Sequence, residues 1–225
     1  MKSKTKKIYS TILIMISFAL FLLLETELTL NKTESIRMIQ WGIKFCIGLI
    51  SVLLSIPMLL KEKNRRQFGL SIVLFFFLLG DTSINLSFLT GGILFSIGHI
   101  LLLVCLLYKS RPVKGILIVF GITYLVFLTL NLCFLNKNGV LLTAGFLIYS
   151  LIISLLEAIS IRYNNQIRIG VLLFVLSDFM LMLNIGLGNS LMFGHFARFI
   201  YYFSVMILAT AKLECNDNKD ISKRD

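Results

Sequence analysis

Apolar residues run along this chain in long blocks of roughly 17 to 25, each separated from the next by a short polar connection. Eight such blocks are legible: Ile8 to Leu24, Arg37 to Leu60, Phe68 to Phe88, Gly92 to Tyr108, Lys114 to Leu135, Gly139 to Ile161, Arg168 to Leu187 and Ser190 to Ala211. At a rise of about 1.5 Å per residue, a helix of that length crosses a hydrocarbon core of about 30 Å. No connection is long enough to make a soluble domain. The pattern predicts an all-α fold, a polytopic membrane bundle of eight transmembrane helices. It forms a single transmembrane helical domain over residues 1–225, with short basic cytoplasmic tails at 1–7 and 212–225.

Composition agrees. Hydrophobic residues make up 57% of the chain and charged ones 15%, too few to coat a soluble surface. The net charge of +11 raises the question of a polyanionic partner, which the placement of the basic residues answers. They alternate by connection. Lys2, Lys4, Lys6 and Lys7 open the chain, Lys61, Lys63, Arg65 and Arg66 lie in the second connection, and Lys109, Arg111 and Lys114 in the fourth. Arg162 and Arg168 follow in the sixth, and Lys212, Lys219, Lys223 and Arg224 in the tail, whereas Lys32, Arg37 and Lys137 alone fall on the other side. The positive-inside rule then places both termini in the cytoplasm of a multi-pass cell-membrane protein. No basic domain is left to bind nucleic acid. The expected partners are membrane lipids, and the oligomeric state is not legible.

The first block has a Lys-rich start, but Glu25-Thr26-Glu27 follows where a signal-peptide cleavage site would need small residues, so it reads as a retained helix. Cys46, Cys105, Cys133 and Cys215 form no CxxC pair, and no metal or cofactor is implied. Trp41, Tyr108 and Tyr163 fall near block ends, where interfacial aromatic anchors are expected. Glu157, close in sequence to Arg162, reads as one half of an interfacial ion pair.

Outside the polar tail the chain has two aspartates, Asp81 and Asp178, and both stand within apolar blocks. The two histidines follow them at matched distances: FLLGD then FSIGH for Asp81 and His99, FVLSD then LMFGH for Asp178 and His195. This spacing pairs the third and fourth blocks with the seventh and eighth and points to a parallel four-plus-four repeat. Such repeats build transporter folds, and they also arise by duplication without transport. Arg198 lies one turn after His195 on the same face, and Lys44 is a further ionisable residue within a block.

An ionisable group at a helix centre costs about 2.5 to 3.5 kcal/mol on insertion scales, so these groups are expected to converge inside the bundle. One reading makes them ion pairs that fix helix packing, another a functional site. Ser177, beside Asp178, either packs or orients the carboxylate. Two buried carboxyl groups make an acid and base pair, suited to hydrolysis through an oxocarbenium-like intermediate. The same pair suits proton binding and release in a proton-coupled small-molecule transporter. A non-catalytic lipid-binding membrane protein is the third class.

The residues also carry a resemblance. LLGD ending at Asp81, GILFSIGH ending at His99, GVLLFVLSD ending at Ser177-Asp178 and the pair Tyr201-Tyr202 are similar in order and spacing to the lysoplasmalogenase-like YhhN family of eight-helix membrane proteins. The resemblance implies an intramembrane hydrolase of lysoplasmalogen-type ether lysophospholipids, which cleaves the vinyl ether bond to a fatty aldehyde and a glycerophospho-base. It implies Asp81 and Asp178 as the catalytic pair, in either assignment of acid and base. Lys44, His99, Ser177, His195, Arg198, Tyr201 and Tyr202 are then candidates for binding the lysophospholipid, with Lys44 and Arg198 available for its phosphate. Phe45, Leu102, Leu103, Val205 and Met206 stand where the family usually carries Pro, Tyr or Gln, so the lining of the site differs from that pattern.

Overall fold

A computed structural model describes residues 34–62, 65–84, 87–107, 115–135, 140–188 and 191–213. Among them are seven α-helices and no strand: α1 (Glu34–Glu62), α2 (Arg65–Ser83), α3 (Phe88–Leu107), α4 (Ile116–Leu130), α5 (Val140–Ser160), α6 (Asn165–Gly186) and α7 (Leu191–Thr210). A π-helical turn, Asn131–Leu135, continues α4. The first predicted block, Ile8 to Leu24, lies outside the described residues. Among the described residues five segments are long and apolar enough to cross a membrane: Leu89–Leu107, Ile116–Cys133, Thr143–Ser160, Asn165–Gly186 and Met192–Thr210. The protein is therefore membrane-embedded, and its described residues are helical. In α1 only the shorter stretch Lys44–Pro57 is apolar, and α2 carries Arg65, Arg66, Gln67 and Asp81.

The chain divides into two compact units, residues 1–46 and 47–225. In the first, the start of α1 stacks Trp41 on Phe45 with ring centroids 5.9 Å apart. The second holds the rest of α1 and all of α2 to α7. There the α2–α3 and α6–α7 hairpins are the most extensively packed pairs, α5 lies against α3, α4 and α6, and α7 touches α2.

The turn between α2 and α3 departs from the sequence pattern. The third block was expected to run to Phe88, but α2 stops at Ser83 and α3 already begins at Phe88. Asp81, Thr82 and Ser83 explain the early stop, because short polar side chains compete with the helix for backbone hydrogen bonds. Thr82 Oγ1 reaches the Leu78 and Leu79 carbonyls, both at 3.0 Å. Ser87 caps the next helix, accepting from the Thr90 N–H at 3.3 Å. Gly91 closes the turn: a Cβ there would stand 2.7 Å from Ile84 Cα and 2.8 Å from Ile84 N. Backbone cannot move aside as a side chain does, so Gly91→Ala should destabilise the protein by about 1 to 3 kcal/mol in detergent unfolding.

Helix α6 is closed at both ends. Asn164 Oδ1 accepts from the Ile167 N–H at 3.0 Å, and Gly188, at φ +79, ends the helix in the left-handed conformation that glycine adopts without steric cost. Serine hydroxyls then tie α6 to α7, with Ser177 donating to the Ala197 carbonyl at 3.0 Å and Ser204 to the Gly170 carbonyl at 2.6 Å. Lipid is as apolar as a leucine core, so such bonds and close packing hold membrane helices together.

The opposite ends of these helices meet around the α5–α6 turn. Gln67 at the start of α2 donates to the Ala211 carbonyl at 3.1 Å, and Asn164 Nδ2 donates to the Lys212 carbonyl at 2.6 Å. Tyr163, expected as an interfacial anchor, is instead fully buried and donates to the Leu106 carbonyl at 2.5 Å. A buried phenol needs an acceptor, and the end of α3 supplies one.

Candidate active site

The two carboxylates reach the same region from different helices. Asp81 sits in the last turn of α2, closer to the helix end than the block pattern suggested, and is buried. Its Oδ2 accepts a hydrogen bond from Tyr202 of α7. Asp178, two turns before the end of α6 and also buried, accepts at Oδ2 from Tyr149 of α5 at 3.2 Å. Each acid is thus held by a phenol from a neighbouring helix. Tyr201 joins the two halves: it lies within electrostatic range of both Asp81 and Asp178, and its hydroxyl is 3.4 Å from the Phe77 carbonyl.

Aromatic rings fill the space between. Phe174 contacts Phe77 (4.8 Å between centroids), His99 (4.7 Å) and Tyr201 (5.3 Å), and Phe95 meets Tyr201 edge-on at 5.6 Å. His99 is fully buried among Phe77, Tyr149 and Phe174. Its Nδ1 lies 2.7 Å from the Phe95 carbonyl, which can only accept, so Nδ1 carries the proton and Nε2 presents a lone pair. That Nε2 has no hydrogen-bond partner.

A protein-family model, that of the YhhN family, matches residues 39–211. The chain belongs to the YhhN family. No curated protein and no solved structure matches it. Every candidate site residue of this YhhN protein falls inside the matched span, and the fold brings together Asp81, His99, Asp178, Tyr201 and Tyr202.

The remaining candidates are placed differently. Ser177 gives its hydroxyl proton to the Ala197 carbonyl, so it ties helices together and does not donate to Asp178. His195 is half-buried, unlike His99, and its Nδ1 accepts from Arg198 Nη2 at 3.1 Å. Arg198 also donates from Nε to the Gly194 carbonyl at 3.1 Å, and it stands one turn before Tyr201 and Tyr202 on α7. The two Asp and His hairpins therefore hold their histidines in unlike surroundings. Lys44 is buried and belongs to the first unit. Among the described residues no three His, Cys, Asp or Glu side chains are grouped as metal ligands would be.

Tyr149, Phe77, Phe95 and Phe174 complete the cluster and were not singled out from the sequence. If Tyr149 and Tyr202 fix their carboxylates, Tyr149→Phe and Tyr202→Phe should each lower kcat of the activity proposed below about tenfold to a hundredfold. KM should change little, because the loss falls on orienting the acid and not on binding substrate. Steady-state kinetics on the purified variants checks this, and an unchanged kcat in both would remove the positioning role.

Proposed function

We propose that this YhhN protein is an intramembrane hydrolase of lysoplasmalogen-type ether lysophospholipids. The observation that carries the proposal is the pair of buried carboxylates, Asp81 and Asp178, each bonded to a tyrosine and both within range of Tyr201. Family membership supports the same chemistry.

In the proposed reaction one Asp, protonated, delivers its proton to the β-carbon of the vinyl ether, which leaves an oxocarbenium ion at the carbon bound to oxygen. The other Asp, ionised, takes a proton from water as it adds to that carbon. The hemiacetal then breaks its C–O bond, the now protonated second Asp giving its proton to the leaving glycerol oxygen and the now ionised first Asp taking the hydroxyl proton, which yields the fatty aldehyde and the glycerophospho-base and restores both acids. Phe77, Phe174 and Tyr201 offer aromatic faces to the developing cation, and their rings keep bulk water from it. The lone pair on His99 Nε2 is a ready acceptor for a substrate hydroxyl or for the attacking water. Arg198, one turn from the tyrosines, is the cation proposed for the phosphate.

The proposal includes eight membrane spans, a parallel four-plus-four origin of the two Asp and His hairpins, both termini in the cytoplasm and residence in the cell membrane. The test is aldehyde release by purified protein in liposomes offered lysoplasmalogen beside a saturated ether lysolipid. Aldehyde from the vinyl ether alone is the expected result. No aldehyde from folded protein would overturn the hydrolase reading and direct attention to proton-coupled uptake or lipid binding.

A further inference from the structure

At the far end of the second unit from the carboxylates, Arg162 occupies the turn between α5 and α6 and is 5% exposed. Its Nε and Nη2 have no hydrogen-bond partner. These two groups share one edge of the guanidinium plane, and their N–H bonds form the fork that grips two oxygens of a single carboxylate or phosphate. A buried cation with that edge unpaired is costly, and an anion brought to the edge would relieve that cost.

The chain does not supply one among its described side chains. Asp81 and Asp178 are in the active site, about 20 Å away along α6 in the case of Asp178. Glu157 was expected to pair with Arg162, but its Oε2 is unpartnered as well, and the cation it senses is Arg168 of α6.

The surroundings are built rather than incidental. Tyr163 and Asn164, the next two residues, are fastened to the Leu106 and Lys212 carbonyls, so the turn that carries Arg162 is fixed to α3 and to the end of α7. Arg66 and Gln67 at the start of α2 join the same end, Gln67 through the Ala211 carbonyl. Arg65, Arg66, Arg168 and Lys212 make this end basic, which draws an anion toward a donor pair already held in place. It is also a helix end, at the level where lipid headgroups lie.

We propose that the unpaired edge of Arg162 is a phosphate-binding site, gripping two oxygens of a phosphate group, carried by a lipid headgroup or by a soluble phosphate compound, that enters as the turn moves aside. The site is separate from the carboxylate pair and does not depend on the hydrolase reading. To test it, thermal unfolding of the full-length protein in uncharged detergent is followed during titration with short-chain phosphatidic acid, with inorganic phosphate and with the matching diacylglycerol. The expected result is a saturable rise in Tm with phosphatidic acid and none with diacylglycerol. A rise with phosphatidic acid alone identifies a headgroup site, and a rise with inorganic phosphate as well shows that phosphate suffices.

Arg162→Lys, which keeps the charge and loses the fork, should weaken the apparent affinity at least about tenfold, and Arg162→Gln should abolish saturation. Where the Gln variant does not fold, the Lys variant carries the test alone. The proposal is overturned if neither phosphate probe gives a saturable shift. Wild-type affinity in Arg162→Lys would overturn it equally.

Discussion

Asp81→Asn and Asp178→Asn should each lower aldehyde release about 10²- to 10⁴-fold, the range that positioned acid and base groups contribute to a reaction. Amide and carboxyl are nearly the same size, and each Asn keeps an oxygen that can accept from Tyr202 or Tyr149, so both variants should fold. What each loses is a proton it can give or take. The double variant should be little worse than the worse single one, because two groups that act as one unit are not additive. Single-turnover assays on variants with wild-type thermal unfolding make the comparison clean. Full activity in both single variants would sink the paired-carboxylate mechanism even if the protein proved to be a lipid hydrolase.

The largest effect on stability is expected at Phe174. This ring is 1% exposed and touches Phe77, His99 and Tyr201, so it packs α6 against α2, α3 and α7 at once. Phe174→Ala would leave a cavity where those helices meet and should cost about 3 to 5 kcal/mol, by analogy with buried aromatic truncations in other cores. Denaturant unfolding in a fixed detergent reads the change. A loss below about 1 kcal/mol would mean that the cluster collapses around the gap and that the aromatic core is less rigid than its geometry implies. Leu172, two residues away and 50% exposed, is the control, and Leu172→Ala should change stability little.

Some of the site stood out in the sequence because its residues are chemically out of place. Asp81, Asp178 and His99 are ionisable groups in apolar blocks, and their expense in lipid already argued that they turn inward. Tyr201 and Tyr202 entered through the family resemblance, and the structure sets Tyr202 on Asp81. His195 was equally conspicuous, yet it lies half-buried against Arg198, because a matched spacing says nothing about which way a helix is turned. Tyr149 and Phe174 were hidden for the opposite reason, since an aromatic residue in an apolar block attracts no notice.

The sequence by itself determined that the protein is helical and membrane-embedded, which groups are costly to bury, and that the chain belongs with the YhhN proteins. Those conclusions follow from block length, composition and order, none of which needs to know a helix's neighbours. Which face of each helix turns inward was decided only by the tertiary structure. On α6, Ile167 is fully buried and Ile169 is 47% exposed, and nothing in their chemistry separates them. In a soluble protein the polar face would mark the outside, but lipid accepts the same side chains as the core does. The pairing of Asp81 with Tyr202, of Asp178 with Tyr149, and the burial of Arg162 with two nitrogens unpaired among the described residues are therefore facts of packing.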